Sequence, residues 1–396
     1  MAGSQDAAVS ASNRMPKLAP ARPHKRGHMR KSSGTVSITI VTHNCELYLE
    51  RCLESVLAQD WPSFEVIVVD NDSRDGTRSI LDKYRESLKV IFNAENRGFA
   101  AAQNQAIRSA VGEWILVMNP DVLLAPNFVS SLVKGGSLDP TIGTVCGKLL
   151  RATPKLEISS ERKVDSAGIF FTPTFRHLDR GSNLPDGEEY DRPAFVFGAT
   201  AAAALYRRRM IDAVSVKGEF FDEDFFLYRE DADVSWRAQL MGWRCLYFPD
   251  AVGHHIRKVL PGCRRKVPQA INRQSVQNRF LMRMKNVTLP LYLRNFFLVT
   301  AWDLGVFFYC VVAERSSLSA FVSVLRRWRR TLGKRRIIQQ RRRVSDAYLQ
   351  SWFRFRPVTF PVIIPALVST ELASAPGARA AGPLPARARP ERLRPL

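Results

Sequence analysis

The chain has 396 residues, 45% of them hydrophobic, and a formal charge of +22. That length and composition suit one large globular domain with appendages, or two modest domains, with a sizeable core. The charge is concentrated at the ends: residues 1–35 hold seven Lys or Arg against Asp6, residues 314–343 hold eleven against Glu314, and residues 371–396 hold five against two, leaving about +3 for the rest. A near-neutral body with basic ends argues against a nucleic-acid binder and leaves an anionic membrane surface as the partner of the charge.

Six cysteines, Cys45, Cys52, Cys146, Cys245, Cys263 and Cys310, stand without a CxxC pair or metal-type spacing, and nothing apolar near Met1 resembles a signal peptide. The expectation is a reducing, cytoplasmic location.

In chain order, residues 1–35 are small, polar and basic without periodicity and read as a disordered arm. Four short, β-branched apolar runs follow: VSITIVT (36–42), FEVIVVD (64–70), KVIF (89–92) and EWILVMN (113–119). They read as parallel strands buried on both faces. Leu49, Cys52, Leu53, Val56 and Leu57 predict a helix between the first two, with Asn44 as its candidate N-cap. Asp75 can cap a second helix burying Ile80, Leu81 and Tyr84, and GFAAAQNQAIRSAVG predicts a third, stopped by Gly112.

Three successive βα units predict a doubly wound α/β sheet with helices on both faces. Ligands of such sheets bind at the carboxyl ends of the strands, which places THN (42–44), DNDS (70–73), NRG (96–98) and NPD (119–121) on one rim. With no GxGxxG and no GxxxxGK[ST], the rim favours a nucleotide site unlike those of Rossmann dehydrogenases or P-loop enzymes. Residues 140–195 read as strand pieces and a long loop.

REDADVSWRAQLMGW predicts a helix from about Asp231 to Gly242, with Trp236 and Leu240 on one face. Glu230 and Asp231 then stand at its N-terminus, where the macrodipole favours an ionised carboxylate able to accept a proton; a plain N-cap is the alternative role for Asp231. His254 and His255 follow a strand. A carboxylate at one strand end and a histidine at another can complete a Mg²⁺ or Mn²⁺ site whose remaining positions go to diphosphate oxygens and water.

The ordered set VTHN, VVDNDSRDGT, NRGFAAAQNQAI, MNPDV, FDEDFFLYREDADVSWR and GWRCLYFPDAVGHH resembles family 2 of the glycosyltransferases, inverting enzymes with a GT-A fold, over roughly residues 36–260. NPD and EDADVSWR are most similar to the rhamnosyltransferase-type branch. The resemblance implies transfer of a sugar from a nucleotide-sugar donor to a glycan or polyprenyl-linked acceptor, with Mg²⁺ or Mn²⁺ as cofactor. Asp231 is then the catalytic base. Donor-binding roles fall to Thr42, Asn44, Asp70, Asn71, Asn96, Arg97, Gly98, Asn119 and Asp121, acceptor-side roles to Gly198 and Glu230, and metal ligation to Asp121 and His255, with His254 in reserve. Asn119 stands where the family usually has the first Asp of Asp-x-Asp, so the metal site carries one charge fewer. A sugar-nucleotide binding or nucleotidyltransferase protein of similar fold is the alternative.

Residues 296–313 contain one charge, Asp303, and predict an interfacial helix or helical hairpin rather than a spanning one. RRWRRTLGKRRIIQQRRR follows as a polybasic segment suited to an anionic leaflet. The expected division is a basic arm (1–35), a glycosyltransferase domain (36–286), an apolar and polybasic helical region (287–355) at the inner face of the cell membrane, and a Pro/Ala/Arg-rich tail (356–396).

Overall fold

Seven consecutive buried residues make strand β1 (Val36–Thr42), and the sheet is built outward from it. The computed structural model describes residues 34–257 and 268–362; the basic arm to residue 33, Cys263 and the tail from residue 363 lie outside the described residues. On one side of β1 run β2 (Phe64–Asn71) and β3 (Lys89–Asn93), on the other β4 (Trp114–Met118), all parallel, with Ile38 opposite Val66 and Leu116. Alternation divides the β-branched residues between two cores. Ile38 and Ile40 join Leu49, Cys52, Leu53 and Val56 of α1 (Glu46–Leu57), while Ile67 and Val69 meet the alanines of α3 (Gly98–Ser109) on the opposite face.

Between these helices lies α2 (Thr77–Lys83), which exchanges caps with α1: Asp75 accepts from Thr77 N and from Glu46 N, and Glu46 accepts from Gly76 N. The N-cap position of α1 is Cys45, and Asn44 is occupied elsewhere, accepting from Arg74 N in a left-handed conformation (φ 52°). The expected Asn44 cap is therefore replaced by groups arriving from the next βα unit. The third helix likewise ends at Ser109, before Gly112, whose missing side chain lets the turn lie against Ser37 N.

Beyond β4 the sheet becomes mixed. The added strands are β5 (Val122–Leu124), β6 (Ile142–Arg151), β7 (Val164–Ser166), β10 (Ala194–Val196), β11 (Ala203–Arg207), β12 (Arg244–His255) and β13 (Phe360–Pro361). The order is β13-β10-β12-β6-β11-β4-β1-β2-β3, with β11 antiparallel to β4 and β6, and β12 parallel to β6. The parallel core meets the doubly wound expectation; residues 140–195 supply β6, β7, the start of β10 and a separate hairpin of β8 (Ile169–Phe171) and β9 (His177–Asp179), while the antiparallel strand beside β4 is β11, beyond that stretch. Helices α4 (Phe128–Ser137) and α5 (Arg208–Val214) cover this half together with α6 (Glu230–Leu240).

Helix α6 is anchored by fully buried Trp236, whose ring lies 4.9 Å from Phe171, 5.1 Å from Phe353 and 5.7 Å from Phe175, centre to centre. Helices α7 (Gln269–Asn286), α8 (Leu289–Arg294), α9 (Phe296–Val312), α10 (Leu318–Gln340) and α11 (Asp346–Trp352) complete the described chain. A buried ionic network pins α10 to the body. Lys334, 2% exposed, reaches Asp222 at 2.5 Å, Glu219 at 2.8 Å and Asp224 at 3.0 Å, and Lys285 of α7 joins Asp222 to Asp233 of α6. Burial pushes the Asp222 carboxyl up, but Lys285 and Lys334 more than offset it and hold it below the ordinary carboxylate range. Part of the polybasic segment is thus internal structure rather than a solvated face.

Removing one cation from such a network leaves buried carboxylates uncompensated, so Lys334→Met is expected to lower stability by about 3–5 kcal/mol in urea unfolding. An unchanged unfolding midpoint would show that α10 is held by its apolar contacts alone.

Candidate active site

Two nonlocal pairings deliver the polar groups to one place. Strand β5 begins immediately after Asp121 and pairs antiparallel with the end of β12, setting Val122 opposite His255, and Ile256 N donates to the Asp121 carbonyl. That register places His255 Nε2 3.4 Å from Asp121 Oδ1. His254, one residue away, faces the other side of the strand opposite Leu123, as a period of two requires. The geometry selects His255.

The second pairing runs through residues 198–202. A Cβ on Gly198 would fall 2.1 Å from Ser235 Oγ, so only glycine lets this segment lie against α6. From there Ala201 N donates to Asp231 Oδ2 at 3.3 Å, and the Ala202 carbonyl accepts from Asn119 N at 2.9 Å. Gly198 itself therefore supports the wall; it does not line the cavity.

Asn119, Asp121, Glu230, Asp231 and His255 all line one open cavity of about 590 Å³, a size usual for small-ligand sites. The β8–β9 hairpin contributes Arg176, His177 and Asp179, and the loop before α6 adds Tyr228 and Arg229.

Burial pushes the Asp231 carboxyl up to about 6, with Asp179 adding to the effect, against hydrogen bonds from Ala232 N (2.7 Å) and Ala201 N. Burial and the neighbouring Asp231 raise Glu230 well above the ordinary range. Against the expectation of ionised carboxylates at a helix N-terminus, burial, together with Asp179 at Asp231 and with Asp231 at Glu230, shifts both groups toward the neutral form. A carboxylate near 6 is a better proton acceptor than an ordinary aspartate.

His255 is held from behind. Its Nδ1 lies 2.7 Å from fully buried Asp165 Oδ2, and Arg257 Nε reaches the other oxygen at 2.8 Å. Burial lowers the imidazole, but Asp121 and Asp165 outweigh it and raise it to about 9; the Asp165 carboxyl, pushed up by burial, is brought down to about 2 by His255 and Arg257. A carboxylate on Nδ1 with Nε2 aimed at a second carboxylate is the second-sphere arrangement of a metal-bound histidine. The donor chemistry of Asp121 and His255 fits a divalent ion, which would replace the imidazole proton. Among the described residues there is no group of three or more His, Cys, Asp or Glu able to hold a metal, so these two would be the protein's share of the coordination.

The donor-side residues occupy the expected rim but turn on one another. Asp70, fully buried, accepts from Thr42 Oγ1, Ser73 N and Oγ, and Arg78 Nε. Asn71 joins Asn96 (3.0 Å), Asn93 and Arg97 N, and His43 Nδ1 lies 2.8 Å from the Asn71 carbonyl. Asn44, Asn96 and Arg97 are exposed at this edge. The set braces three strand ends, while Thr42, Asn44, Asp70, Asn71, Asn96, Arg97 and Gly98 lie outside the cavity lining. At Gly98 (φ +81°) a Cβ would fall 2.5 Å from Phe226, which ties the rim to the loop before α6.

That loop is strained, with positive φ at Phe226, Tyr228 and Arg229. Asn278 of α7 holds it by donating to the carbonyls of Phe225, Leu227 and Tyr228 at 2.8–2.9 Å. Asn278, Asp165 and Arg257 were not found from sequence; the isolated Asp in the apolar run KVDSAGIFF was the one available signal.

Residues 37–183 match the family model described as glycosyl transferase family 2. The chain is 29% identical over 241 residues to the N-acetylglucosaminyl-diphospho-decaprenol L-rhamnosyltransferase of Mycobacterium tuberculosis, covering 55% of this chain and 75% of that protein. It is 24% identical over 266 residues to the poly-beta-1,6-N-acetyl-D-glucosamine synthase of Staphylococcus aureus, covering 66% of this chain and 60% of the relative. Among solved structures, GalNAc-T7 with UDP, GalNAc and Mn²⁺ superposes with a TM-score of 0.51 at 16% identity, over 65% of this chain and 48% of that one, a likeness of fold. The family model over the parallel core and the named glycosyltransferase relatives agree with one another, and the sheet has a GT-A-like fold: residues 37–183 form a glycosyltransferase family 2 domain.

Proposed function

We propose that this enzyme transfers a sugar, L-rhamnose as in the mycobacterial relative, from a nucleoside-diphosphate donor to a hydroxyl of a lipid-linked or cell-surface glycan, with inversion at the anomeric carbon. The observation carrying the proposal is Asp231, a carboxylate raised to about 6 on the same cavity wall as the Asp121–His255 pair. The acceptor oxygen forms a bond to the anomeric carbon as the bond to the diphosphate oxygen breaks from the opposite face. Asp231 takes the acceptor proton. Asp121 and His255 Nε2 would hold Mg²⁺ or Mn²⁺, which when bound neutralises charge on the departing diphosphate. The rim from Thr42 to Gly98 orients the nucleotide, and the cavity fixes the approach of the partners.

Peripheral membrane association is part of the same reading. Among the described residues no helix is long and apolar enough to cross a membrane. Helix α9 nevertheless turns Phe297 (84% exposed), Phe308 (60%) and Val312 (79%) outward, and its one charge, Asp303, is paired inward with Arg279 and Arg283. Exposed Leu289 and Leu293 of α8 and Leu325 and Trp328 of α10 extend the surface, beside arginines suited to anionic headgroups.

Asp231→Asn is expected to lower kcat roughly 10²–10⁴-fold with nucleotide binding retained, as measured by product formation and calorimetry. In the parent enzyme kcat should fall as pH drops through about 6, because the base is active only when deprotonated; a flat profile from pH 5 to 7 removes the assignment. Asp121→Ala should abolish metal-dependent donor binding, and unchanged metal dependence would show that the ion sits elsewhere. Full-length protein should sediment with phosphatidylglycerol vesicles, and Phe297→Asp/Phe308→Asp should release it; equal sedimentation would exclude α9 as the contact.

A further inference from the structure

The cavity meets the apolar helix at one point. Arg176, at the hairpin between β8 and β9, lines the cavity and sets its guanidinium 5.9 Å from the centre of the Trp302 ring on α9. Arg279 of α7 approaches the same ring at 5.7 Å. Arg279 and Arg283 both pair with Asp303, so that carboxylate is taken up by two guanidinium groups while Arg176 rests on the Trp302 ring. Burial, and then the flanking Arg283, hold Arg279 below its ordinary value against the opposing effect of Asp303. Among the described residues Arg176 is hydrogen-bonded through its backbone to Thr172, and its guanidinium has the indole as its contact. From Trp302, 41% exposed, the outward face of α9 continues through Phe297, Leu298 and Phe308.

A fork of N–H donors in positive excess, an indole at the boundary and a continuous apolar surface match one kind of ligand: an anionic head on a hydrocarbon tail. A soluble glycan would leave the extended apolar face of α9 uncovered. We propose that this junction binds the diphosphate of a polyprenyl-linked acceptor, with its oxygens on Arg176 supported by Arg279, its first isoprene units against Trp302 and the outward face of α9, and its sugar directed into the cavity that Asp231 shares. The proposal rests on the reading of the site as a glycosyltransferase with a lipid-linked acceptor. It adds which residues take the linkage and which surface takes the lipid.

The test is calorimetric titration of the full chain with farnesyl diphosphate in EDTA, which keeps a metal-dependent diphosphate site at Asp121 and His255 from competing. The parent protein should bind, Arg176→Gln should weaken binding about tenfold or more, and Arg176→Lys should restore only part of it, because an ammonium lacks the bidentate fork. Farnesol and inorganic diphosphate should each bind at least about tenfold more weakly, each having one half of the recognition. Parent protein that does not bind farnesyl diphosphate, Arg176→Gln that binds it as tightly, or inorganic diphosphate binding equally well overturns the proposal. The two readings fail separately: transfer lost in Asp231→Asn with lipid binding indifferent to Arg176 refutes the acceptor site alone, and Arg176-dependent binding in a chain that turns over no nucleotide sugar refutes the transfer reading alone.

Discussion

Where the chain passes Gly198 it runs so close to α6 that a single added carbon would collide with Ser235, and the site is framed by that approach. Three and four residues on, Ala201 N binds Asp231 and the Ala202 carbonyl binds the NPD turn, so the proton acceptor and the Asp121–His255 pair share one short bridge. Trp236 presses α6 into this position from below through rings contributed by β8, the turn after it and the chain following α11. A site assembled from distant stretches of sequence is thereby held to the tolerance that displacement chemistry requires.

Burial, rather than helix orientation, governs the electrostatics. Asp231 and Glu230 sit at a helix N-terminus, yet both are displaced toward the neutral form, because the wall removes water from two neighbouring carboxyls. Asp165 shows the opposite result at similar depth. Its neighbours are His255 and Arg257, and it stays ionised. The difference lies in the sign of the nearest partners, and it separates a carboxyl able to take up a proton from one that fixes an imidazole.

The parallel core was readable in the sequence because its strands are short β-branched runs buried on both faces, and β1 spans the residues expected of it. Asp121, Asp231 and His255 were readable from motifs, since each lies beside a strand end or helix start with local punctuation. Asp165 and Arg257 were not, because their meeting depends on β7 and β12 flanking β6, a contact across more than ninety residues that no local pattern encodes. The polybasic segment is legible only in part for a related reason. Lys334 looks like its neighbours in sequence, but it shares a helix face with Thr331 and Ile338 and is the cation turned inward to Asp222.

The loop from Phe226 to Arg229 places three non-glycine residues at positive φ, conformations that cost about 1–3 kcal/mol each. Asn278 holds the carbonyls of Phe225, Leu227 and Tyr228 in and beside this loop, and Tyr228 and Arg229 line the cavity. Glycine at either position would relax the backbone while deleting a ring or a guanidinium from the wall. Sequence drift toward a more robust fold and retention of a working enzyme therefore pull against each other at these two positions, and thermal selection without selection for turnover would be expected to erode the loop first.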